Sequence, residues 1–253
     1  GNIAMDLTAR SPADGYSSVL TDLGNLVISP SMYSKLPFDI QRDLTPIAMV
    51  SYSAHLLTVH PSVPVKTVKE LVDKVRAAPN GLNYASAGIG SAAHVNAEKF
   101  VVGLKLKGNH VPYKGTPQML VDIAGNNVDY VFAPLISSVT MIREGKVVPL
   151  AVSSEKRAVA FPNIPTMAEE GYPQGQFNFW IGMMVPGKTP KDIVNRLNEE
   201  VVKALATAEV KERFVTLGAD AWTMKPDQFD AYIRDEIKSN AVLVKAAGLS
   251  PAP

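Results

Sequence analysis

The segment Leu82-Asn83-Tyr84-Ala85-Ser86-Ala87-Gly88-Ile89-Gly90-Ser91-Ala92-Ala93-His94 constrains the fold most, because it reads as a short strand, a glycine-spaced turn and a helix opened by small residues. Gly88 and Gly90 are free to take positive φ and let a ligand approach the backbone. Ser91 is placed to cap a helix whose first N–H groups and dipole face whatever lies in the turn. A phosphate loop is disfavoured: Ser-Ala-Ala-His follows Gly90 where Lys-Ser or Lys-Thr would be needed, and the dinucleotide pattern fails at Ala93. A smaller anion fits, most simply a carboxylate held by the hydroxyls of Ser86 and Ser91 and by N–H groups of Ala87, Gly88 and Gly90. His94, one turn into the helix, either packs beneath the loop or offers a ring N–H to the ligand.

The rest of the chain alternates in the same way, which predicts α/β architecture on partly parallel sheets. Strands are expected at Ser17–Leu20, Pro46–Ser51, His55–Val59, Leu82–Ala85, His110–Pro112, Tyr130–Ala133, Val148–Ser153 and Ile181–Val185. Thr67 with Glu70, and Thr166 with Glu169, have capping-box spacing. Thr116 is expected to cap a helix entered through Pro117 and ended by Gly125. Thr189-Pro190 and Pro226 open two later helices whose apolar stripes, Ile193 to Leu205 and Phe229 to Ile237, are core-facing.

Charge excludes some functions. Lys plus Arg number 25 against 24 Asp plus Glu, with no run of five like charges, so nothing draws the chain to nucleic acid. The absence of cysteine removes disulfides and thiolate metal sites. His55, His60, His94 and His110 are scattered, without metal-ligand spacing, so neither metal nor other cofactor is expected. A serine-type hydrolase using Ser91 and His94 is the rival reading, but no G-x-S-x-G elbow surrounds either serine and no third group is evident to orient the imidazole. No catalytic residue is therefore assigned.

Together with Pro12–Tyr16, Leu20–Leu26, Leu56–Pro64, His110–Pro117, Asn163–Gly171 and Phe179–Pro190, the loop segment gives the chain an end-to-end resemblance to the Bug-type solute receptors of tripartite tricarboxylate transporter systems. The resemblance implies a two-lobed periplasmic receptor of the type II, Venus-flytrap fold. Such a protein closes on a small organic mono- or dicarboxylate and hands it, as a monomer, to integral membrane transporter subunits. Lobe one is expected at 1–55 with 179–253, and lobe two at 56–178. Asp22 and Asn25, after the first strand, either bond their own turn or face the ligand, where an acidic Asp22 would receive an amine or hydroxyl. Ala133, where family members often carry a polar residue, implies an apolar pocket wall. Trp180, with Phe177 and Phe179, either walls the cleft or packs the hinge. The resemblance further implies a strand, loop, helix and strand ahead of Gly1 that complete the cradle. Without them a gapped lobe-one sheet and little ligand affinity are expected.

Overall fold

The computed structural model describes residues 1–246, 248 and 249. The ends of both assigned lobe-one spans are thus covered except for Ala247 and Ser250–Pro253, which lie outside the described residues. The chain forms two compact units. Unit one comprises Gly1–Tyr52, Trp180–Phe214 and Asp220–Pro253, and unit two comprises Ser53–Phe179 and Val215–Ala219. The brief return at Val215–Ala219 has no counterpart in the sequence reading.

Unit one begins with helix α1 (Asn2–Ala9) and strand β1 (Val19–Asp22). A π-helical segment at Gly24–Ile28 runs straight into α2 (Ser29–Met32), and α3 (Ile40–Asp43) precedes the long strand β2 (Leu44–Val59). Sequence reading expects two strands here, separated at Tyr52–Ala54. They are one, because Ser51 and Ser53 are buried and the Ser53 hydroxyl donates to the Gly218 carbonyl at 3.2 Å, which removes the polar reason for a break.

Unit two continues with α4 (Val68–Ala77), β3 (Leu82–Ser86), α5 (Ala92–Gly103), β4 (Gly108–Pro112), α6 (Thr116–Ala124), β5 (Tyr130–Pro134), α7 (Leu135–Arg143) and β6 (Val148–Val152). The chain returns to unit one through β7 (Asn178–Pro186), followed by α8 (Lys191–Ala206), α9 (Ala208–Leu217), β8 (Ala219–Ala221) and α10 (Pro226–Ala246).

In unit two the strand order is β2-β5-β3-β4, with β6 also on β2. β3 is parallel to both β4 and β5, whereas β5 and β6 run antiparallel to β2. The two-residue period of a strand sorts the core. Tyr84, Tyr130 and Phe132 face one apolar cluster with Val68, Leu71, Val72 and Phe100, while Ala85, Val131 and Ala133 face another with Met119, Leu120 and Ile123.

Capping departs from expectation in three places. Thr67 accepts from the Glu70 N–H at 3.1 Å as expected, but the Glu70 carboxylate returns to the Lys66 N–H at 2.6 Å, one residue further out. The Thr166–Glu169 box is reciprocal, at 3.1 and 2.7 Å, yet closes an isolated turn rather than a helix. Thr116 is not a cap: Gly115, at φ +138°, takes that position, and the Gln118 side chain instead accepts from the Lys114 N–H at 3.1 Å. Glycine alone holds such a φ without strain, which moves the boundary back one residue.

In unit one β1 lies antiparallel to β7, which lies beside β2. α8 lays Val194, Leu197 and Val201 on Ile47, Ala48 and Val185, and its Asn198 amide donates to the carbonyls of Ile47 and Met224 at 2.8 and 3.0 Å. Phe229 of α10 is fully buried, edge-on to Trp180 at 5.6 Å, and fills the space that a side chain at Gly182 would need. Phe229→Ala should therefore lower stability by about 3–5 kcal/mol, since the rigid Trp180 and the bare Gly182 leave little to collapse into the cavity. The midpoint of denaturant unfolding measures it.

Candidate functional site

β3 ends at Ser86, α5 starts at Ala92, and the intervening turn is the candidate site. Gly88 and Gly90 stand at φ +126° and +76°, both in the region that suits glycine. Gly88 also passes close to the chain, since a Cβ there would lie 3.1 Å from the Tyr113 carbonyl oxygen. Ser91 is the N-cap, its Oγ accepting from the His94 backbone N–H at 3.2 Å, and Val95 N–H closes the first helical turn on the Ser91 carbonyl. The backbone N–H groups opening α5 are those no earlier helical carbonyl can reach.

The turn is braced from below. The Ser86 hydroxyl accepts from the Gly88 N–H at 3.1 Å and lies 2.7 Å from His110 Nε2. Gly90 donates its N–H to His94 Nδ1 at 3.2 Å. The His94 ring is buried and stacked on His110, with centroids 3.9 Å apart and planes 16° from parallel. Its other nitrogen, Nε2, faces Glu98 Oε1 at 3.6 Å, and Glu98 also accepts from the Tyr84 hydroxyl. Tyr84 in turn stacks on His110 at 5.3 Å. Burial works to raise the Glu98 carboxyl, but hydrogen bonds from His94 and Tyr84 outweigh it and hold the group below its ordinary value. Burial lowers His110 to about 4, the neighbouring His94 ring adds to that, and Glu98 opposes it. Burial, then the Glu98 partner, raises Tyr84.

Ser86, Ala87, Gly88, Gly90, Ser91 and His94 are thus brought together in one loop, and Ala133 lies fully buried in the apolar cluster that also holds Ala85 and Ala93. His94 is buried beneath the loop. Its ring is engaged by Gly90 and Glu98, and it reaches Ser91 only through its backbone N–H, so no base is aligned on the Ser91 hydroxyl.

Asp22, Asn25 and Trp180 belong to unit one. Asp22 ends β1 rather than standing in a turn, and its carboxylate accepts from both the backbone and side-chain N–H groups of Asn25, at 3.3 and 3.2 Å. Burial raises Asp22 above the ordinary carboxylate range against those hydrogen bonds. Trp180 is fully buried against Phe229 and Tyr232.

Sequence reading missed Glu98, Tyr84 and His110. His94 and Glu98 are four apart, a spacing that puts both on one helix face, and this signal was legible. The approach of His110 needs the parallel pairing of β3 with β4, which sets Tyr84 opposite His110. Although two histidines meet here, no group of three or more His, Cys, Asp or Glu among the described residues could hold a metal ion.

A two-unit α/β chain of this kind has the architecture of a periplasmic solute-binding protein. Residues 1–249 match the family model described as tripartite tricarboxylate transporter family receptor, TctC, and the chain belongs to that family. Protein BugT of Bordetella pertussis is 32% identical over 249 residues, covering 98% of this chain and 76% of that protein. A Rhodopseudomonas palustris protein solved with adipate superposes with a TM-score of 0.96 at 30% identity, covering 100% of this chain and 84% of the other. MatC from the same organism, solved with bound malate, superposes at 0.87 with 29% identity, covering 96% and 84%. The family is one of solute receptors, and its fold is the two-lobed, periplasmic-binding-protein-like one that the resemblance implied.

Proposed function

We propose that this protein is a periplasmic receptor that binds a small organic carboxylate on the Ser86–Ser91 loop and delivers it, as a monomer, to the membrane subunits of a tripartite tricarboxylate transporter. The observation that carries the reading is the turn itself: two glycines at positive φ lead into a serine-capped helix, and such a terminus favours a negative group. A carboxylate bound this way is held by the N–H groups that open α5, because those of Gly88 and Gly90 are already accepted by Ser86 and His94, and not by an arginine, which keeps release easy. Charge-assisted hydrogen bonds of this kind, with burial of the carbon chain, reach the ~8 kcal/mol of a micromolar receptor. The adipate and malate bound to the two relatives support a dicarboxylate as the first ligand to test. No helix among the described residues is long and apolar enough to cross a membrane.

The test is calorimetric titration of the protein carrying the segment that the resemblance implies ahead of Gly1, with a panel of mono- and dicarboxylates, starting with adipate and malate. Stoichiometric binding without turnover is expected, and a ligand at a hundred times its Kd should stabilise the fold by about 2.7 kcal/mol. Steady consumption of a bound ester or amide, or no binding across the panel, would overturn the reading.

A further inference from the structure

We propose that His94 and His110 are positioning residues of the carboxylate loop, His94 holding the Gly90 N–H through a lone pair on Nδ1 and His110 supporting Gly88 through Ser86. The proposal rests on the reading of that loop as the ligand site, and goes beyond it by assigning what holds the loop in shape.

The proton positions follow from the partners. Gly90 can only donate, so His94 Nδ1 must carry a lone pair and its ring proton must sit on Nε2, facing the Glu98 carboxylate. Glu98 is already an acceptor for the Tyr84 hydroxyl. Ser86 accepts from the Gly88 N–H and lies within hydrogen-bond distance of both the Gly88 carbonyl and His110 Nε2. Each glycine N–H in the turn is therefore fixed by a side chain that depends on a histidine: Gly90 directly, and Gly88 through Ser86.

The ring is held in that orientation from two sides. Its face lies on His110 at 3.9 Å, with the planes 16° from parallel, and its Nε2 faces Glu98, which Tyr84 also holds. A side chain without an acceptor at the Nδ1 position leaves the Gly90 N–H without its partner and the turn without that brace.

The experiment compares the unaltered protein with His94→Asn, which keeps an oxygen acceptor near the Nδ1 position, and with His94→Leu, which has none. Adipate affinity is measured by calorimetry at pH 7.5. The leucine variant should bind about tenfold more weakly than the unaltered protein, the cost of one unmade hydrogen bond, and the asparagine variant should recover most of that loss. Exchange of the Gly90 amide, followed by NMR at the same pH without adipate, should be slow in the unaltered and asparagine proteins and fast with leucine. Equal affinities of the asparagine and leucine variants, or unchanged Gly90 exchange in the leucine variant, would overturn the proposal. If the unaltered protein binds no carboxylate, the functional reading fails, and the Gly90 exchange still decides the positioning role.

Discussion

Gly90→Val is expected to abolish carboxylate binding while leaving both units folded. Gly90 stands at φ +76°, where a β-branched residue costs more than the 1–2 kcal/mol of an ordinary left-handed side chain, so the backbone turns away instead. Turning it swings the Gly90 N–H off His94 Nδ1 and shifts the start of α5, so the loss falls on the loop geometry that a carboxylate would read. A matched control is Gly145→Val. Gly145 has a similar φ of +66° in the same unit, with open space around it, so it bears the strain without touching the loop. Both variants should melt a few degrees lower, and only Gly90→Val should lose calorimetric binding of the carboxylate found in the screen. Unchanged affinity in Gly90→Val would show that the site has been misplaced.

What was legible in the sequence is what depends on neighbours within a turn or two. Ser91, three residues ahead of the N–H it caps, and the Thr67–Glu70 pair announce their helices because the interaction is local. Gly88 and Gly90 announce a bend because only glycine takes that φ cheaply. The features that stayed hidden are those set by partners far along the chain. β2 is continuous through Tyr52–Ala54 because Gly218 supplies the acceptor for Ser53, 165 residues away. The π-helical segment after β1 depends on Asp22 holding Asn25, and Asx chemistry alone predicts a turn there. The buried stack under the candidate loop is assembled across β3, β4 and α5, so four scattered histidines in the sequence conceal a pair in the fold.

His55 should make the protein acid-labile well above the range where its carboxylates titrate. It lies on β2 just after the chain enters unit two, with no exposed surface, between Phe177 at 5.5 Å and Phe179 at 4.8 Å. Its Nδ1 meets the Asn96 amide nitrogen at 3.3 Å, while Nε2 and Asn96 Oδ1 have no partner among the described residues. Burial therefore lowers the imidazole from its ordinary 6.5 to about 3. The unfolded chain takes up this proton below about 6.5 and the folded chain only near 3, so between those values the unfolded state binds more protons and stability falls as pH falls. By pH 4.5 the loss from this one group is about 2–3 kcal/mol. His110, brought down to about 4 chiefly by burial, pushes in the same direction. His55→Phe keeps the aromatic sandwich and removes the titration. It should be somewhat less stable at pH 7, because the Asn96 amide loses its acceptor, yet its denaturation free energy should fall less steeply between pH 7 and 4.5 than that of the unaltered protein. Parallel slopes in the two proteins would mean that His55 takes up its proton in the folded state at an ordinary pH, which the burial and the missing Nε2 partner both argue against.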